Sequence, residues 1–124
     1  MFRYILPGVI WLTIILFLSL TPGDELQQVN WDYFAFDKFA HLAVYAILVH
    51  IWLTGLKRQR TSKLLRNKAY FIVIATAIIL GLGIEFIQWQ FIRGRVFDNW
   101  DVIANCAGIL SGSLSSYLLY RNYY

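Results

Sequence analysis

The sequence predicts an all-α polytopic membrane protein, with four transmembrane helices gathered into a small bundle. Three observations carry this. Of the 124 residues, 59% are hydrophobic and only 15% charged, with a mean hydropathy of +0.55, too greasy for a soluble domain of this length. The apolar residues fall into four blocks, each near the roughly 20 residues that a helix needs to cross a hydrocarbon core about 30 Å thick. Basic residues are segregated: Lys57 to Lys68 holds six Lys/Arg and no acid, as expected of a cytoplasmic loop. The length leaves room for a single transmembrane domain over residues 1–124.

The first block runs from about Tyr4 to Leu20 and stops at the turn signal Thr21-Pro22-Gly23. Arg3 ahead of an apolar run resembles a signal peptide, but no small-x-small cleavage pattern follows, so a retained helix is expected. Because this helix carries no charged residue, it is expected to pack outside the other three. The second helix is expected over about 37–56. The third, over about 69–92, is long for the bilayer and would tilt or project. The fourth is expected over about 101–120. With the basic loop inside, both termini are cytoplasmic and the loops 21–36 and 93–100 face outward, the arrangement of a multi-pass protein of the bacterial inner membrane. Trp31, Tyr33, Phe34, Trp89 and Trp100 then mark the outer rim. Tyr117, Tyr120, Tyr123 and Tyr124 mark the inner one, as aromatic belts do. The net charge of +4 reflects topology, with attraction of the basic loop to anionic lipid as the functional alternative, and gives no case for a nucleic-acid partner. Cys106 is alone and reads as packing.

Ionisable and amide residues inside such segments are costly and by default mark a functional site. In the expected topology, His41, Glu85, Gln88 and Asn105 lie within about 6–10 Å of the outer ends of their helices, at 1.5 Å per residue. Asp37, Lys38, Asp98 and Asp101 lie at the rim, and Arg95 stands in the loop between the third and fourth helices. They also share faces: Asp37, His41 and Tyr45 at steps of four, Glu85 and Gln88 at three, and Asp101, Asn105, Gly108 and Gly112 along one stripe. The Gly108/Gly112 step permits a close helix approach. The candidate ligand-binding residues are therefore Asp37, Lys38, His41, Glu85, Gln88, Arg95, Asp98, Asp101 and Asn105, around a pocket between the second, third and fourth helices. His50, nine residues beyond His41, reads as packed and outside the site.

The matching pieces Asp37-Lys38-Phe39-Ala40-His41 with Tyr45, Glu85-Phe86-Ile87-Gln88, and Gly94-Arg95-Val96-Phe97-Asp98-Asn99-Trp100-Asp101 running on through Asn105, Gly108 and Gly112 resemble the VanZ-like family. The Leu18-Ser19-Leu20-Thr21-Pro22 ending of the first helix also looks like it. The resemblance covers nearly the whole chain. It implies a small four-helix membrane protein and a link to glycopeptide resistance, since the family's namesake is associated with resistance to teicoplanin. It supplies no reaction.

Lys38 and Arg95 suit phosphate or carboxylate recognition. His41, with Asp37 one turn away or with Glu85, is a candidate acid–base group. No nucleophile stands out: Ser19 belongs to the first helix, and Ser111 and Ser115 lie deep in the fourth. No metal site and no cofactor are expected, since no metal-ligand spacing occurs; an acid-rich layer could hold a divalent cation, but carboxylate clusters are weakly diagnostic of one. The expected partners are membrane lipids, with a lipid-linked cell-wall precursor or a glycopeptide as candidates. The expected function is binding or remodelling of an anionic lipid or cell-envelope precursor. The alternatives are a membrane hydrolase or transferase acting on a lipid phosphate, and an assembly factor in which the polar network only packs helices.

Overall fold

A computed structural model describes residues 1–21 and 31–123, with only the backbone described at 31–34. Its elements are α1 (Phe2–Ser19), α2 (Trp31–Arg58), α3 (Lys63–Asn67), α4 (Ala69–Phe91) and α5 (Asn99–Tyr120). Four of them are long and apolar enough to cross a membrane: Phe2–Ser19, Ala35–Arg58, Ala69–Phe91 and Asn99–Tyr120. The chain is thus an all-α membrane protein with four spans. The outward apolar side chains, such as Phe2, Phe17, Phe71, Phe91 and Leu110, face what would be lipid. Trp31, Tyr33 and Phe34 lie outside the described side chains, so their place in an aromatic belt does too.

α2 starts six residues before the expected Asp37. Hydropathy reports where hydrocarbon begins, whereas a helix needs no hydrocarbon to continue. α3 is a short addition inside the basic loop. The Ser62 hydroxyl caps it by accepting from the Leu65 N–H.

α2 and α5 form the main seam, and they run parallel. Lys38 meets Asp101, His41 meets Asn105, and His50 meets Ser115 and Ser116, so the pairing offset stays near-constant down the bundle. Between the polar pairs, the seam is closed by glycine. A Cβ on Gly108 would lie 2.2 Å from the Leu42 carbonyl oxygen, and one on Gly112 would lie 2.4 Å from that of Ala46. The small-residue step therefore brings backbone against backbone. α4 completes the core with Ala69, Val73 and Ala77 against Tyr45, Val49, Leu53 and Ile109. α1 docks through Ile15, packed with Leu48 and Ile84, and through the Trp11 indole N–H, which donates to the Val44 carbonyl at 2.9 Å.

Candidate functional site

The C-terminal ends of α1 and α4 and the N-terminal halves of α2 and α5 meet at one end of the bundle, and every predicted site residue is there. Gly94 has a φ of 75°, a conformation that favours glycine. The Arg95 N–H bonds back to the Ile92 carbonyl at 3.3 Å. This tight turn brings Arg95 back over the helix ends. Asp98 then caps α5, accepting from the Trp100 N–H at 2.9 Å. Its own N–H donates to Glu85 Oε1 at 2.9 Å. Glu85 thus plays, from another helix, the reciprocal part that a glutamate three residues into a helix plays in a capping box.

The polar residues separate into two groups. In the first, the Lys38 ammonium donates to Asp37 at 2.9 Å, to Asp98 at 2.7 Å and, most closely, to Asp101. These three carboxylates engage the lysine from α2 itself, from the α5 cap and from the first turn of α5. Burial pushes the Asp98 carboxyl up, but the Lys38 ammonium and the Trp100 N–H more than offset this and hold it below its ordinary value. Lys38 therefore acts as an internal counter-ion.

The second group lines a cavity of about 160 Å³. Its polar wall is Asp37, His41, Glu85, Gln88, Arg95 and Asn105, and its apolar wall includes Ile15, Leu18, Val44 and Ile84. His41 Nδ1 lies 3.0 Å from Asn105 Oδ1, while Nε2 lies 3.5 Å from Asp101 and 3.8 Å from Asp37. The imidazole is thus oriented by α5 more closely than by the one-turn neighbour that spacing suggested. Lys38, Asp98 and Asp101 do not line the cavity; they brace its rim.

α1 docks on α2 and α4 on the outer side of the α2–α4–α5 trio, yet it also contributes to the site. Ile15, Leu18 and Ser19 line the cavity. The Gln88 amide donates to the Ser19 carbonyl at 2.7 Å, and Arg95 Nη2 reaches the Thr21 carbonyl at 3.4 Å. These are carbonyls that a helix C-terminus leaves without intrahelical partners. Among the described residues, the Arg95 guanidinium makes no ion pair, and its buried Nε has no hydrogen-bond partner.

Asp37, His41 and Asp101 offer one ligand atom each within 4.8 Å of one another, a spacing that a metal ion could bridge. The Lys38 ammonium already bonds to both of these carboxylates. His50 lies apart from the site, 3.0 Å from Ser115 Oγ and 3.1 Å from Ser116 Oγ. Cys106 borders a small apolar gap between α4 and α5.

Comparison with known proteins comes to the same place. The profile of the VanZ/LLP1 family matches residues 4–120. An uncharacterized protein of the fission yeast Schizosaccharomyces pombe is 31% identical over 87 residues, which cover 68% of this chain and 49% of that protein. The chain thus spans about half the length of this curated relative. No solved structure matches.

Proposed function

The chain belongs to the VanZ/LLP1 family, and from that premise we propose that its cavity binds the headgroup of an anionic lipid or lipid-linked cell-envelope precursor. The observation that carries this reading is Arg95, which lines the cavity with a buried Nε that has no partner among the described residues, while the neighbouring acids are engaged by Lys38, His41 and the Asp98 backbone. A guanidinium that makes no ion pair among the described residues is a group that an external phosphate or carboxylate would engage. Ile15, Leu18 and Ile84 on the same wall would receive the apolar part of such a lipid. Family membership fits a tie to glycopeptide resistance, and a precursor held in the outer half of the membrane is a ligand through which that tie would operate.

One finding favours keeping the hydrolase or transferase reading as second. Ser19, set aside from sequence, lines the same cavity as His41 and Glu85. An oxygen nucleophile and an acid–base group would then share one wall.

The test is Arg95→Ala in detergent, measured both for thermal stability and for lipid retention by native mass spectrometry. A normal melting temperature with one fewer anionic lipid retained per chain supports the binding reading. An unchanged number of retained lipids sinks it. Retained binding in His41→Ala and Ser19→Ala, with loss of product from a lipid phosphate, would put the enzyme reading first.

A further inference from the structure

We infer that the opposite end of the bundle holds a second binding site, a basic cleft that takes the phosphate of an anionic lipid. Lys57, Arg58, Arg60 and Arg66 line one open cleft of about 380 Å³ together with Asn67 and Tyr123. None of the seven Asp/Glu falls between Lys38 and Ile84 or after Asp101, and among the described residues these cations make no ion pair.

A loop that only sets topology needs its charges on one side of the membrane and need not gather them or hold them still. This loop does both. Gln59 is fully buried. Its side-chain amide donates to the Ser62 carbonyl at 2.6 Å and its Oε1 accepts from the Ser62 N–H at 2.8 Å. Arg66 returns to the Gln59 carbonyl at 3.4 Å, and the Arg58 guanidinium stands 5.6 Å over the Tyr120 ring. Like charges held together without an ion-pair partner among the described residues repel one another until an anion joins them. Several arginines facing one space suit the several oxygens of a phosphate.

The neighbouring surface selects a lipid over free phosphate. Arg58 and Tyr123 also border a second groove, of about 470 Å³, whose other walls are Leu119 and Tyr120. Leu119 and Tyr123 are largely exposed. A phosphate among the arginines would therefore leave its glyceryl and acyl portions against an apolar, aromatic wall at the membrane surface, as interfacial basic pockets do for anionic headgroups.

The experiment uses the full chain in neutral detergent, titrated with phosphatidylglycerol, phosphatidylcholine or inorganic phosphate and read by native mass spectrometry. It is run in an Arg95→Ala background so that lipid at the other end is not counted. Phosphatidylglycerol should be retained and phosphatidylcholine should not. The Arg58→Gln/Arg60→Gln pair should weaken retention by about tenfold or more, as expected for lost charge-assisted bonds. The Lys63→Gln/Lys68→Gln pair removes as much charge from exposed positions of the same loop that do not line the cleft, and should leave retention intact. Equal losses in the two pairs would mean diffuse attraction and overturn the cleft. Inorganic phosphate bound as tightly as the lipid would overturn the lipid assignment. Should the first pair unfold through loss of the Tyr120 contact, Arg60→Gln alone decides, because its exposed side chain makes no bond to the described residues. Unaltered retention in that variant would count against the site.

Discussion

Lys38 and Arg95 are the two cations of the candidate site, and their surroundings give them opposite work. Lys38 keeps three aspartates compatible with one another. Lys38→Met would strand those carboxylates, and removing one partner of a buried ionic group costs about 3–5 kcal/mol. The lower part of that range applies, since the Asp98 side chain keeps 31% of its exposure. The expected outcome is a clear fall in melting temperature, partly restored in Lys38→Met/Asp98→Asn/Asp101→Asn. No restoration would show that the cluster is not a stability device. Asp98 allows a pH test of the same idea. Its carboxyl is held below the ordinary value of 3.8, so the unfolded chain takes up the proton first and stability falls as acid is added. Asp98→Asn keeps a side-chain oxygen for the helix cap while removing the charge. The gap in melting temperature between wild type and this variant should be full at neutral pH and close as pH drops through and below 3.8. A gap independent of pH would mean that Lys38 draws nothing from the charge. Residue spacing showed which faces these groups share. It could not show which acids meet Lys38, because the three come from α2, from a loop and from α5, and only the parallel docking of α2 on α5 decides that.

At the scale of elements, the α2–α5 seam fixes the depth at which polar groups face each other, and its glycines are the part most sensitive to volume. Gly108→Ala would push a Cβ to 2.2 Å from a main-chain oxygen of α2. Backbone cannot step aside as a flexible side chain can, so a loss at the upper end of the usual 1–3 kcal/mol of overpacking is expected. Gly83→Ala, with nothing within 4 Å of the added carbon, should be neutral or slightly stabilising. Equal melting temperatures for the two variants would contradict the seam. The long helices α1, α4 and α5 were legible from hydropathy to within about two residues, because in a membrane the apolar run and the span coincide. The early start of α2 was not legible, since Trp31–Phe36 lies before the apolar block. α3 was too short to show a period. The role of α1 escaped for a different reason: apart from Ser19, it offers the polar network main-chain carbonyls at its C-terminal end, and carbonyls leave no mark in residue type. The available signal was that Leu18-Ser19-Leu20-Thr21 ends at the depth where Gln88 and Arg95 need acceptors.

For the whole molecule, the division of charge between its two ends makes orientation a physical question with a direct assay. The basic cleft and the polar cavity occupy opposite ends of the bundle, so one determination assigns both to their sides of the membrane. Six Lys/Arg between Lys57 and Lys68 against none of the acids should hold that end in the cytoplasm and turn the cavity outward. A cysteine reporter has to be chosen from the structure. Gln59 is unsuitable, being fully buried and bonded to Ser62, and Gln28 lies outside the described residues. Thr61 and Val96 are both exposed, one at each end. In a Cys106→Ala background, a membrane-impermeant maleimide added to intact cells should label Val96→Cys and spare Thr61→Cys. Permeabilised cells should label both, which shows that the silent site is reachable and merely on the far side. Labelling of Thr61→Cys alone in intact cells would place the cavity in the cytoplasmic leaflet. An extracellular precursor could not then reach Arg95, while the anionic headgroups of the inner leaflet could. The ligand proposed for the cavity would have to change, whereas the internal bracing by Lys38, which depends only on contacts within the bundle, would stand.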